Sequence, residues 1–222
     1  VASLVGSEMC IRDSPVAVAN ILADMRLDED SIITALLHDT VEDCDVTLET
    51  LQTEFGGDVS QLVDGVTKLS RLAIKSLPSS AQAENFRKLL MAMSEDVRVL
   101  LVKLADRTHN MRTLSFIPKP EKRMRIARET MDIYAPLAER IGLTQIQSEL
   151  EDSAFEILNG DMRQSIITRL DYLTSEAKIT IPTISVELQS TIERVGIECS
   201  VTGRLKSPYS IWRKMQTKAV TM

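Results

Sequence analysis

Residues 35–43 read Ala35-Leu36-Leu37-His38-Asp39-Thr40-Val41-Glu42-Asp43 and place one of the two histidines of the chain among three carboxylates. If this stretch is one helix, His38 and Glu42 lie four residues apart on one face, and so do Asp39 and Asp43. An imidazole and several carboxylates suit a divalent metal such as Mn²⁺, and no cysteine spacing typical of structural zinc is present. The alternative is a solvated acidic helix end in which the histidine has no role.

A second informative segment covers residues 96–114. It is nearly all apolar as far as Ala105 and then turns polar. Asp106, Asn110 and Thr113 are spaced four and three residues apart, so they share one face of a predicted helix. Asp106 is therefore a carboxylate presented where a buried helix emerges, although a partnered structural carboxylate would fit the same pattern.

The composition excludes several classes of protein. The net charge of −6 and the pI of about 5.1 disfavour general affinity for nucleic acid or for an anionic membrane. Only 4% of the 222 residues are aromatic, so the core must be aliphatic, which favours packed helices. The three cysteines are widely spaced, which fits a reducing cytoplasm. No stretch predicts a membrane span or a secretory leader.

The spacing of apolar residues predicts helices through most of the chain. Ser14 and Pro15 fit the cap and the first position of a helix that reaches about Met25. The helix that carries residues 35–43 starts at Asp30 or Ser31 and is apolar nearly all round, which predicts a central, buried position. Further helices are predicted after Thr47, Asp58, Ala81, Asp96 and Pro120, over residues 143–158 and 161–180, and from Pro182 to Val195.

Both ends of the chain differ from this pattern. Residues 1–14 show no periodicity and resemble translated adapter sequence, so we expect them to be a tail foreign to the protein. Ile197, Cys199 and Val201 alternate with polar residues, which predicts a strand followed by a helix over residues 207–218. Because a lone strand forms no stable sheet, residues 197–222 are interpreted as the start of a second, α/β domain.

Five ordered segments resemble the RelA/SpoT family, the bifunctional synthetases and hydrolases of the alarmone (p)ppGpp in the stringent response. These are LLHDTVED at 36–43, LVDGVTKL at 62–69, AENFRK at 83–88, KLADRTHNMRTL at 103–114 and IYAPLA at 133–138. GRLK at 203–206 and YSI at 209–211 resemble the start of the family's synthetase domain. The resemblance implies a mainly α chain, with an all-helical HD-type hydrolase domain at 15–158, connecting helices at 159–196 and a synthetase fragment at 197–222.

The resemblance also implies a metal centre. The family holds Mn²⁺ with two histidines and two aspartates, and His38, Asp39 and Asp106 match three of these ligands. The fourth ligand aligns with Ser14, so the set is incomplete here. Glu42 and Asp43 match the family's catalytic acidic pair.

Further positions match the family's nucleotide contacts. Asn110 and Thr113 match residues near the bound nucleoside, and Arg112 is a weaker match. Arg204 and Lys206 match the nucleotide-binding start of the synthetase domain. The implied protein is cytoplasmic, and it would meet the ribosome or other regulators only through domains further along a longer chain.

The implied activity is metal-assisted hydrolysis of the 3′-pyrophosphate of (p)ppGpp, which yields GDP or GTP and pyrophosphate. The metal would lower the pKa of a bound water, and Glu42 and Asp43 would orient that water or accept its proton. With one ligand missing, weak or no turnover is expected. Two alternatives stay open: part of a GTP pyrophosphokinase, and a catalytically inactive helical module that regulates a synthetase domain.

Overall fold

The computed structural model describes residues 8–74, 96–203 and 205–218. Within these ranges every regular element is a helix or a helical turn, which confirms the predicted fold class. Residues 197–203 form no strand, because no neighbouring strand is present among the described residues to pair with them. The loop predicted at 75–80 and the helix predicted from Ala81 lie outside the described residues.

The chain divides into two units, one ending at Leu150 and the other beginning at Glu151. The first unit holds α1 to α8 and the start of α9. The elements are α1 (Glu8–Asp24), α2 (Glu29–Leu37), α3 (Thr40–Asp43), α4 (Leu48–Phe55), α5 (Gly57–Ile74), α6 (Val97–Arg112), a 3₁₀ turn (Leu114–Phe116), α7 (Pro120–Glu129), a π-helical turn (Thr130–Tyr134), α8 (Ala135–Arg140) and α9 (Thr144–Leu158). α2 packs against α1, α5 and α6.

Short polar signals set the starts of these helices. Asp28 caps α2 by accepting a hydrogen bond from the Ser31 amide at 3.2 Å, so α2 starts one or two residues earlier than predicted. Thr47 caps α4, as predicted, and Asp96 caps α6. Pro120 is the first residue of α7, where its missing N–H costs nothing.

Two prolines lie inside helices rather than at the helix boundaries that the sequence predicts. α1 begins at Glu8, so Pro15 lies inside the helix rather than at its first position. In the second unit, α10 (Gly160–Glu193) continues through Pro182 instead of being interrupted there. Each proline removes one backbone hydrogen bond, and both helices are long enough to retain the bonds on either side. Pro136, predicted to kink its helix, is the second residue of α8 and lies two residues after the end of the π-helical turn.

The core around α5 is aliphatic, as predicted. α5 buries the whole predicted inner stripe, each side chain at 2% exposure or less: Val59, Leu62, Val63, Val66 and Leu69. α6 crosses this stripe closely, since a Cβ on Gly65 would lie 2.7 Å from the Cγ2 atom of Val99. α2 is less central than predicted, because Leu36 is 42% exposed.

The second unit is described by itself. It contains the end of α9, the long helix α10 and α11 (Pro208–Lys218). Three aromatic rings of this unit cluster with centroid distances of 5.2 to 5.8 Å: Phe155, Tyr209 and Trp212. In the part of the chain that the structure describes, no helix combines the length and the apolar character needed to cross a membrane.

Candidate functional site

Residues 35–43 do not form the single helix that the sequence predicts. α2 ends at Leu37, and two side chains bind its last carbonyls. The Nδ1 atom of His38 lies 2.8 Å from the Ala35 carbonyl, and the Thr40 hydroxyl donates to the Leu37 carbonyl at 2.7 Å. Such local side-chain bonds compete with the backbone ladder, so the helix stops and α3 starts anew at Thr40.

The break changes the predicted face-sharing. His38 and Asp39 form the turn between α2 and α3, so the four-residue spacings to Glu42 and Asp43 are not those of one regular helix. His38 is buried at 1% exposure, whereas Glu42 and Asp43 are exposed on α3. Glu42 and Asp43, the proposed catalytic pair, therefore lie at the surface, a few residues after the buried imidazole of His38.

The two ring nitrogens of His38 have different surroundings. Because a carbonyl only accepts, Nδ1 carries the proton and donates it to Ala35. Nε2 lies 3.1 Å from Oδ2 of Asp39 and 3.8 Å from Oδ1 of Asp106. Neither contact has hydrogen-bond geometry, so this buried nitrogen lacks a hydrogen-bond partner among the described residues. Nε2 and two carboxylate oxygens thus face one another.

The carboxylates of Asp39 and Asp106 favour positive charge on His38. Burial by itself lowers the pKa of His38, but the nearby carboxylates of Asp106 and Asp39 outweigh burial and raise the pKa to about 10. Asp39 is the more accessible carboxylate, with a side chain that is 44% exposed, whereas the side chain of Asp106 is 8% exposed. The turn and α6 together form a site that favours positive charge.

Asp106 is held from two sides by its own helix. Nζ of Lys103 lies 2.7 Å from Oδ2, and Nδ2 of Asn110 donates to Oδ1 at 2.7 Å. Burial would raise the pKa of Asp106, but the charges of Lys103 and His38 hold this pKa well below its usual range. Burial would lower the pKa of Lys103, and Asp106 reverses that shift and raises it. The pair is therefore ionised, and the predicted common face of Asp106 and Asn110 is observed.

The neighbouring residue Arg107 joins α6 to the π-helical turn. Its guanidinium lies 4.0 Å from the centre of the Tyr134 ring, and Nη2 lies 3.1 Å from Oε1 of Glu129. Tyr134 is buried, and its hydroxyl has no hydrogen-bond partner among the described residues. Arg107 thus ties the π-helical turn to α6 beside Asp106, and π-helical turns are frequent at functional sites.

The predicted substrate-binding residues lie at the end of α6. The Thr113 hydroxyl donates to the His109 carbonyl at 3.1 Å and so closes the helix. Nη2 of Arg112 donates to Oε2 of Glu149 at 2.9 Å, so its guanidinium is engaged in an ion pair. His109, four residues before Thr113, is half-buried. The nucleoside-contacting roles of Asn110, Thr113 and Arg112 stay predictions.

Three further predicted positions are far from residues 35–43 and 103–110 in the sequence: Lys206, Arg204 and Ser14. Lys206 is exposed in the second unit, and Arg204 lies outside the described residues. Ser14, the position aligned with the fourth ligand, is half-buried within α1.

Lys103 is a site residue that the sequence pattern does not single out. It is 9% exposed in a stretch where its neighbours Val102 and Leu104 are fully buried. A lysine in the middle of an apolar run, three residues before a carboxylate, is the signal that could have found it.

The fit of a metal ion can be tested on these atoms. Among the described side chains, no group of three or more His, Cys, Asp or Glu residues is arranged so that it could hold a metal ion. His38, Asp39 and Asp106 nevertheless offer one nitrogen and two carboxylates, and the buried Nε2 has no hydrogen bond. The chemistry of these donors therefore suits a divalent cation, although the three side chains are not arranged around one.

Comparison with known proteins gives a family match and close relatives. Residues 4–144 match the family model described as HD domain. The chain is 49% identical over 207 residues to the GTP pyrophosphokinase rsh of Brucella ovis, which covers 93% of this chain and 27% of that protein. It is 49% identical over 204 residues to the guanosine-3′,5′-bis(diphosphate) 3′-pyrophosphohydrolase of Vibrio cholerae, covering 92% of this chain and 29% of that protein.

A third relative combines the two activities in its name. The chain is 48% identical over 204 residues to the bifunctional (p)ppGpp synthase/hydrolase SpoT of Escherichia coli, covering 92% of this chain and 29% of that protein. The chain thus spans less than a third of the length of each of these three relatives.

Proposed function

This chain belongs to the HD domain family, its relatives are RelA/SpoT-type enzymes, and we propose that it hydrolyses the 3′-pyrophosphate of (p)ppGpp. The products would be GDP or GTP and pyrophosphate. The observation that carries the proposal is the meeting of the turn after α2 with α6, where Nε2 of His38 faces the carboxylates of Asp39 and Asp106.

HD hydrolases are metal-dependent, and we propose that Mn²⁺ is the ion used here. His38, Asp39 and Asp106 would hold it, since imidazole and carboxylate donors suit this metal. Bound there, the ion would supply a water of lowered pKa and offset phosphate charge. The position aligned with Ser14 would carry the fourth ligand in the family, so the set in this chain is one short.

The remaining residues would act on water and substrate. Glu42 and Asp43, exposed on α3, would orient the attacking water and accept its proton. The amide nitrogen of Asn110 is bound to Asp106, which leaves its amide oxygen to accept a hydrogen bond from the nucleoside. Thr113 would donate a further hydrogen bond, and Arg112 would have to leave Glu149 to reach a phosphate.

A Ser14→His variant tests the ligand set. We expect it to bind Mn²⁺ more tightly than the parent, by about 10–100-fold, and to release pyrophosphate from ppGpp faster at limiting Mn²⁺. Ser14→Gln is the matched control, because glutamine is polar and of similar size but supplies no imidazole. Equal Mn²⁺ binding by the two variants would contradict the role aligned with Ser14.

The activity itself is tested by the same assay on a longer protein that carries residues 15–203 behind the intact N-terminal segment of a relative. Release of pyrophosphate from ppGpp with Mn²⁺, abolished by His38→Ala, is expected. A purely regulatory domain, the alternative that the sequence leaves open, would neither bind Mn²⁺ at His38 nor release pyrophosphate.

A further inference from the structure

We infer that Lys103 is a positioning residue that limits Asp106 to a single coordinating oxygen, Oδ1, and so sets which divalent cations the pocket prefers. The inference rests on the proposed function, because it requires His38 and Asp106 to share a cation. It goes further by assigning a role to a residue outside the predicted ligand, catalytic and substrate sets.

The contact between Lys103 and Asp106 is built into one helix. The two residues are three apart on α6, both are buried, and Nζ lies 2.7 Å from Oδ2. Because both belong to the same continuous helix, the contact does not depend on how other elements are placed. The contact is therefore set by α6 itself.

Stability alone does not account for a lysine at this position. Removing two charges from water is costly, and well-packed apolar residues of similar volume often stabilise a protein as much as a buried ion pair does. The neighbours of Lys103, Val102 and Leu104, show that the helix readily buries aliphatic side chains here. A charge retained at such a site is better explained by what it does to Asp106.

The lone pairs of Asp106 show what that effect is. Oδ2 accepts a hydrogen bond from the charged Nζ of Lys103, whereas Oδ1 accepts one from the neutral amide of Asn110, both at 2.7 Å. Each oxygen keeps a second lone-pair site, but a cation bound to Oδ2 would lie beside the ammonium charge of Lys103. This oxygen is also the one nearer to Nε2 of His38, at 3.8 Å. Asp106 thus offers one oxygen, in one orientation, to a cation beside His38.

Single-oxygen coordination has a consequence for selectivity. Small divalent ions that favour octahedral geometry accept one oxygen per carboxylate, whereas Ca²⁺ takes more oxygen ligands and readily accepts both oxygens of a carboxylate. With Lys103 in place, a cation that took both oxygens of Asp106 would be repelled by the ammonium charge bound to Oδ2. Lys103 should therefore disfavour Ca²⁺ relative to Mn²⁺.

The test compares the affinities of Mn²⁺ and Ca²⁺ for the parent, Lys103→Met and Lys103→Arg. Free Mn²⁺ is measured by electron paramagnetic resonance, and Ca²⁺ is titrated in competition. We expect Lys103→Met to raise the ratio of Ca²⁺ to Mn²⁺ affinity by about 10-fold, the lower end of the range for residues that hold a metal ligand in place. Lys103→Arg keeps a charged donor and should leave the ratio near that of the parent.

The ratio separates positioning from a merely structural role. Both ions carry two charges, so for binding through Oδ1 alone the loss of the lysine charge acts on both affinities alike, and so does a loosened fold. Only an ion that also takes Oδ2 gains more. An unchanged ratio in Lys103→Met would overturn the inference while leaving the metal site intact, whereas a parent that binds no Mn²⁺ would overturn the proposed function as well. If Lys103→Met fails to fold, Lys103→Gln, which is uncharged and one bond shorter, is expected to shift the ratio in the same direction.

Discussion

The two halves of the candidate site are built in opposite ways. Asp106 lies inside a continuous helix of 16 residues, is 6% exposed, and has both oxygens bound by residues of that helix. Asp39 lies in a turn between two helices, and its side chain is 44% exposed. Asp106 is thus held by its own helix, whereas Asp39 is placed by the turn that follows the end of α2.

This difference indicates a division of labour. The buried carboxylate fixes the point where charge is needed, since neither of its oxygens can turn without breaking a bond to Lys103 or Asn110. The turn carries His38 inward and leaves Asp39 at the surface, where an incoming ligand can reach it. Four experiments test this contrast, from the largest expected effect to the smallest.

The largest effect is expected at the two carboxylates themselves. Asp106→Asn keeps the shape but leaves the buried charges of Lys103 and His38 uncompensated, which should cost about 3–5 kcal/mol of unfolding free energy. Asp39→Asn removes a half-exposed charge and should cost under about 1 kcal/mol. Urea unfolding without added metal measures both. Equal costs would contradict the contrast between a fixed and an adjustable carboxylate.

The next effect concerns the close crossing of α5 and α6. A methyl group on Gly65 would lie 2.7 Å from the Cγ2 atom of Val99, and valine has no flexible end that could move aside. Gly65→Ala should therefore lower the unfolding free energy by about 1–2 kcal/mol, since overpacking outweighs the gain in helix propensity.

A double substitution provides the control for this crossing. Val99→Ala removes the atoms that the new methyl group meets, so Gly65→Ala combined with Val99→Ala should cost less than the sum of the two single changes. Additive costs would show that the two side chains do not meet. In that case the rigidity of α6 would have to come from elsewhere.

The sequence predicts the rigid half of the site better than the turn. Apolar periodicity is reliable where a helix is continuous, so the buried face of α5 and the spacing of Asp106 and Asn110 are as predicted. The break after Leu37 depends on two side chains, His38 and Thr40, binding backbone carbonyls. Nothing in the apolar pattern distinguishes that arrangement from an unbroken helix.

The other differences also arise from contacts or context that a local pattern does not carry. Pro15 and Pro182 look like helix boundaries, yet each is tolerated inside a long helix. The alternation at Ile197, Cys199 and Val201 predicts a strand, but a strand needs a partner to form. The sequence shows Lys103 within an apolar run, but its contact with Asp106 is visible only in the fold.

A smaller effect should follow from releasing the turn. Thr40→Val removes the hydroxyl that binds the Leu37 carbonyl at the end of α2, which should cost about 1 kcal/mol. Thr108→Val is the matched control: its hydroxyl binds the Leu104 carbonyl at 2.7 Å within the unbroken α6, where the backbone ladder remains. Thermal unfolding should show a larger loss for Thr40→Val, and the reverse order would argue that the turn is not held by its side chains.

The smallest effect is expected at the far ends of the two helices, where Arg98 joins their caps. Its guanidinium donates to Asp96, the cap of α6, and to Asp28, the cap of α2, at 2.7 Å each. The pKa of Asp96 is lowered mainly by the hydrogen bond from Arg98, and that of Asp28 mainly by Ser31 and then by Arg98. Carboxyl groups with a lowered pKa in the folded state stabilise it above their unfolded pKa, and this contribution is lost as the pH falls.

Arg98→Met should therefore lower the unfolding free energy by under about 1 kcal/mol at neutral pH, because all three side chains are partly exposed. The difference from the parent should shrink as the pH falls below about 4, where the carboxyl groups protonate, and it should shrink in high salt. A difference that is undiminished at pH 3 would mean that Arg98 acts through the packing of its stem and not through charge. The two helices would then be aligned at the site by their buried faces alone, without a tie between their caps.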